Sequence, residues 1–102
     1  MMYFTFKLPT IALKLNNSTV QHYCQHIINT FNSTPPTQLR ELGAIWLYNK
    51  LILKMGQAKC TLKIPVEYAM ILRAYCSHTD TFHELEQIAL YEILEQLDKK
   101  LK

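Results

Sequence analysis

The sequence predicts an α+β fold, mostly helical, with about four helices packed on a small two- or three-stranded ribbon. Three observations carry this. Long segments repeat their apolar residues with helical period. Short segments ending in proline alternate apolar and polar residues. Half the residues (49%) are apolar and only 19% charged, the composition of a globular chain. With 102 residues, one domain spanning 1–102 is expected.

Phe4, Phe6 and Leu8 alternate with Tyr3, Thr5 and Lys7, and Pro9 ends this first strand pattern. Residues 11–15 alternate again and fit either a strand or one helical turn. Asn16, Asn17 and Ser18 form a turn cluster that offers a helix cap. In the helix predicted over residues 19–31, Val20, Cys24, Ile27, Ile28 and Phe31 share one face, with His22, His26 and Asn29 opposite. The run from Asn32 to Pro36 breaks the chain, and Thr34 or Thr37 is the expected cap of a second helix over residues 37–55. Gly56 would end it in a left-handed turn. Apolar residues surround this second helix almost completely, so it is expected to lie centrally in the fold or in an oligomer.

Alternation over residues 58–64 gives the second clear strand, closed by Pro65. A third helix follows over 66–77. A fourth begins at a capping-box pattern, Thr81 to Glu84, and runs to about 101, with Phe82, Leu85, Ala89, Ile93, Leu97 and Leu101 as its stripe. Thr5-Phe6-Lys7-Leu8-Pro9 echoes Thr61-Leu62-Lys63-Ile64-Pro65. The two strands would be able to pair, although chance similarity of short amphipathic strands is the simpler account of the echo.

Several chemistries are excluded. Two glycines are too few for a phosphate-cradling loop. There is no G-x-S-x-G elbow, and only Asp80 and Asp98 are available as aspartates to orient a histidine. Glu84, Glu86, Glu92, Glu95 and Asp98 crowd one helix and read as its solvated face. His22 and His26 stand at i and i+4, the spacing of a zinc helix, but no glutamate accompanies them as H-E-x-x-H requires. Two solvent-exposed histidines are the expectation, with no metal and no cofactor. Cys24, Cys60 and Cys76 form no C-x-x-C pair and fit apolar positions, which suits a reducing, cytoplasmic home. Cys76 and His78, two apart on a helix, would not face each other. No apolar run is long enough for a bilayer, no cleavage site follows the aromatic start, and the chain reads as soluble and unprocessed. The richness in Asn, Gln, Ile, Lys and Tyr suits an AT-rich coding sequence, as in a low-GC bacterium, phage or mobile element.

Charge is unevenly placed. Residues 1–63 carry seven bases against one acid, Glu41, and residues 64–102 carry four bases against seven acids. The expected role is therefore a non-enzymatic protein–protein interaction module that associates with itself, the sites being Trp46, Tyr48 and Ile52 on the second helix. The alternative is a nucleic-acid-binding accessory protein using Lys50, Lys54, Lys59 and Lys63, its last two helices imitating a helix-turn-helix. Against that stand an acidic fourth helix and only two arginines, Arg40 and Arg73.

Overall fold

A computed structural model describes residues 9–32, 34–81 and 83–101. The strand pattern at Phe4–Leu8, with most of the first copy of the echo, and Phe82 lie outside the described residues. In chain order the elements are β1 (Thr10–Asn16), α1 (Asn17–Phe31), α2 (Leu39–Leu51) with a 3-10 turn (Ile52–Lys54), β2 (Lys59–Pro65), α3 (Val66–His78) and α4 (Glu84–Lys100). Four helices on a two-stranded antiparallel sheet make the fold α+β and mostly helical. No described helix is long and apolar enough to cross a membrane.

The ambiguity over residues 11–15 resolves as strand. Ile11, Leu13 and Leu15 lie opposite Ile64, Leu62 and Cys60, so one face of the ribbon is apolar and turned to the helices. The pairing continues past both strand ends, through Val66 N–H to the Pro9 carbonyl (3.0 Å) and Asn17 N–H to the Ala58 carbonyl (3.0 Å). At Lys14 the outer edge of β1 is met by a side chain. Gln96 of α4 accepts from the Lys14 N–H (2.9 Å) and donates to the Lys14 carbonyl (2.7 Å), taking the place of a third strand.

The chain is two β-α-α units related by an approximate two-fold axis. β1, α1 and α2 correspond to β2, α3 and α4; α1 packs on α4 as α3 packs on α2. The axis passes through the pair Leu13–Leu62, which are both cross-strand partners and equivalent positions. Burial repeats accordingly: Val20, Tyr23, His26 and Ile27 in α1 match Ala69, Leu72, Tyr75 and Cys76 in α3. Gly43, Ala44, Leu47 and Leu51 in α2 match Ala89, Leu90, Ile93 and Leu97 in α4. The repeat thus aligns residues 10–16 with 59–65, whereas the echo read in the sequence aligns 5–9 with 61–65. That echo followed strand polarity and a proline, and these do not fix which strands are equivalent.

The helix ends differ in detail from expectation. Asn16 caps α1 by accepting from the Thr19 N–H (2.8 Å), as its type suggests. The cap of α2 is Gln38 rather than Thr34 or Thr37. Glu41 reaches back to the N–H groups of Gln38 (2.9 Å) and Thr37 (3.2 Å), so those donors are met without a threonine cap. α2 leaves α-geometry at Leu51, tightens through Ile52–Lys54, and Gly56 then turns the chain with φ of 92°. Thr81 does not cap α4. Its N–H goes to the Gln87 side chain (3.0 Å) and its hydroxyl accepts from the His83 N–H (3.2 Å), so Glu84 opens the helix.

The core lies between ribbon and helices, with Leu13, Leu47, Leu51, Ile64, Leu90, Ile93 and Leu97 fully buried. Each such side chain contributes about 1.5–3 kcal/mol. Tyr23 is equally buried, and its hydroxyl donates to the Ala44 carbonyl at 2.5 Å, tying α1 to α2. The crossing of α2 and α3 needs glycine at 43. A Cβ there would stand 2.6 Å from Ile71 Cγ2 and 3.0 Å from the Leu72 backbone nitrogen, which cannot move without the helix. Replacing Gly43 by alanine therefore strains the crossing by more than the ~1 kcal/mol of helix propensity it gains. Thermal unfolding of Gly43→Ala is expected to show a melting temperature several degrees below that of the parent.

Candidate interaction surface

Ala44, Leu47 and Leu51 turn α2 inward, while α1 and α3 flank it and α4 lies on α1, α3 and β1. Helical spacing then leaves an outward crest on α2. Leu39 is 67% exposed and Leu42 54%; beyond the helix end Leu53 is 81% exposed. A shallow groove of about 420 Å³ runs beside the crest toward α3, lined by Leu39, Met70, Ile71 and Ala74 with Gln38 and Arg40 at its end. A second, of about 320 Å³, runs toward α1 between Ile27, Ile28, Phe31, Ile45 and Tyr48. The helix that reads as apolar all round is thus apolar on its inner side for the core and on its outer side for no partner among the described residues.

The three aromatic and aliphatic positions expected on this surface are placed differently from one another. Ile52 is exposed. Trp46 is half-buried, stacked on Tyr68 of α3 with ring centroids 4.9 Å apart and planes within 6°, and Lys50 Nζ lies 5.6 Å from its centroid. Tyr48 is half-buried in the wall of the α1 groove. The residues that form the crest, Leu39, Leu42 and Leu53, were visible in the sequence only as part of an undifferentiated apolar helix. Tyr68 and Met70 of α3 carried no signal of their own.

The four lysines stand on three different elements. Lys59 and Lys63 stand on the outward face of the ribbon, where Lys14 joins them from β1. Lys50 belongs to the Trp46 stack, and Lys54 ends the 3-10 turn.

The histidine pair is separated more sharply, and here the sequence reading is corrected. His26 is 3% exposed, not solvated. Its Nε2 meets the Tyr75 hydroxyl at 2.6 Å, and its Nδ1 lies 3.4 Å from Glu86 Oε1. Glu86, read as part of a solvated acidic face, is buried too, and Asn29 donates to its other oxygen at 3.3 Å. Exposed His83 approaches that oxygen at 3.9 Å. His22 is half-exposed and meets Ser18 Oγ at 3.3 Å. Among the described residues no group of three or more His, Cys, Asp or Glu is placed to hold a metal.

His26 and Tyr75 are equivalent positions of the two units, so the axis itself brings them together. The Glu86 carboxylate beside Nδ1 draws the imidazole proton to that nitrogen, so Nε2 accepts from the Tyr75 hydroxyl, which burial keeps protonated by pushing it up to about 12. The network thus fixes the tautomer. The arrangement locks α1, α3 and α4 together and presents no nucleophile to solvent. Burial likewise raises the thiols of Cys24 to about 11 and Cys76 to about 12, which keeps both as inert thiols. All three cysteines are free and buried.

Desolvation lowers the pKa of His26 below its ordinary 6.5, the nearby Glu86 carboxylate opposing this and exposed His83 adding to it. Unfolded chains therefore bind this proton more readily, and stability is lost as pH falls from 6.5 toward the folded value, by at most about 1.4 kcal/mol per pH unit. The urea midpoint is expected to fall between pH 7 and pH 5, and to fall less steeply in His26→Gln.

No protein-family model, no curated protein and no solved structure matches this chain.

Proposed function

We propose that this protein is a small non-enzymatic interaction and assembly module that associates with itself through the outer side of α2. The single observation behind this is the crest of Leu39, Leu42 and Leu53 between two apolar grooves. Large apolar side chains held out of the core in this way are costly to leave in water and are typical of protein–protein contacts. The three buried free thiols favour a reducing compartment, and we place the protein in the cytoplasm.

Sedimentation velocity tests the reading. The parent's weight-average sedimentation coefficient should rise with protein concentration, and Leu42→Glu should hold it at the monomer value with an unchanged far-UV circular dichroism spectrum. A parent that stays monomeric at every concentration refutes self-association.

A second reading draws on one observation, the three lysines Lys14, Lys59 and Lys63 on the ribbon's outward face. A flat basic face of this kind suits phosphate contacts, with binding that weakens steeply as salt rises. In a mobility assay at low salt, this reading expects retention of nucleic acid that Lys59→Glu with Lys63→Glu abolishes. Equal migration of the free and mixed nucleic acid removes it.

A further inference from the structure

We propose that the partner seated on the α2 crest is the outer face of α4 from a second copy, so that copies associate head to tail. The inference rests on the self-association proposed above and names its two surfaces.

α4 turns Ala89, Leu90, Ile93 and Leu97 to the core. On its far side Leu85 is 58% exposed, Tyr91 57%, and Ile88 between them nearly half. The spacing i, i+3, i+6 puts the three along one line. In the two-unit repeat these positions are the equivalents of Leu39, Leu42 and Ile45 on α2. The fold therefore repeats an apolar line on both outermost helices: on α4 all three residues are exposed, and on α2 Leu39 and Leu42 are exposed while Ile45 is partly buried against the core.

The two lines differ in charge. In sequence Arg40 follows Leu39, Lys50 and Lys54 lie within three residues of Leu53 at the far end of the α2 crest, and the one acid of that stretch, Glu41, is engaged in the helix cap. Glu84, Glu92 and Glu95 border the α4 line. Glu95 also meets Lys99 at 3.1 Å, an exposed pair of small worth, and Glu92 accepts from the Thr19 hydroxyl of α1. Pairing α4 with α4 would bring glutamates against glutamates, and pairing α2 with α2 would leave its bases without a counter-charge. Pairing α2 with α4 matches apolar line to apolar line and base to acid, which favours encounter and register alike. Each copy then offers one surface of each kind. Such an interface is heterologous and extends into a ring or an open chain rather than stopping at a dimer.

Two surface-broken variants test this together: Leu42→Glu with Leu53→Glu on the crest, and Ile88→Lys with Tyr91→Lys on α4. All four positions are exposed, and far-UV circular dichroism checks the fold. Each variant alone should be monomeric by sedimentation velocity. Mixed in equal amounts, they should form a one-to-one dimer and nothing larger, because each retains one intact surface. Should either variant lose its helical signal, the charge reversals Glu84→Lys with Glu95→Lys and Lys50→Glu with Lys54→Glu serve instead. Each should weaken association roughly tenfold or more, and mixing should restore it. If the α4-broken variant associates as the parent does, the head-to-tail inference falls while the α2 crest stands. A mixture that remains monomeric also overturns it. A monomeric parent removes both readings at once.

Discussion

The pairing of β1 with β2 about Leu13 and Leu62 is the constraint on which everything else depends. The strands are separated by both helices of the first unit, so the ribbon closes only once α1 and α2 have folded back. Two strands alone are marginal in water. Here the apolar face of the ribbon is buried by the helices, and at Lys14 the outer edge of β1 is met by Gln96. Once that pair is set, the axis through it dictates the remaining contacts. α1 meets α4 as α3 meets α2, and His26 meets its own equivalent, Tyr75.

The symmetry is most informative where it fails. At the equivalent crossings stand Gly43 and Ala89. The α2–α3 crossing has no room for a methyl group because Ile71 and the Leu72 backbone close on it. Arg40 and Glu86 are equivalents of opposite charge, and only Glu86 is drawn inside, by His26 and Asn29. Asn29 bonds one oxygen of this buried carboxylate, and the other has only the His26 ring at 3.4 Å and no hydrogen-bond partner among the described residues, so the burial is costly. The cluster is therefore a place where polar chemistry specifies the packing of three helices, and its weak point is the proton on His26.

Much of the fold was legible because it is local. The strand at 58–64, the cap at Asn16, the stop at Gly56 and the start of α3 after Pro65 all follow from short-range backbone chemistry. The placement of His26 was not. A wheel for α1 weighted by Ile28 and Phe31 turns the helix so that His26 faces water. In the structure α1 is wedged between α2 and α4, and Ile28 is the residue left exposed. What brings His26 inward is Tyr75, 49 residues away, and no local pattern encodes that partner. The same holds for Glu86, whose fellow glutamates on α4, Glu84, Glu92 and Glu95, are exposed. For the crest, the sequence showed that α2 had more apolar surface than one core needs, but not which positions were surplus. That follows only from α1 and α3 taking its flanks.

The charge split read along the sequence takes on a geometric meaning in the repeat. The split falls inside β2, so Lys59 and Lys63 belong to the second unit, yet the units still differ in sign: residues 10–54 carry four bases against one acid and residues 59–100 five bases against seven acids. Had both outer helices carried the same sign, an isologous contact across a two-fold axis would have met only repulsion, and a heterologous one would have fared no better. With opposite signs on equivalent apolar lines, the contact that is favoured is the one joining the first unit of one copy to the second unit of the next. The internal axis joins the two units through the ribbon and the α1–α4 and α2–α3 packings, whereas the proposed assembly joins them through the outer faces of α2 and α4, which those packings leave exposed.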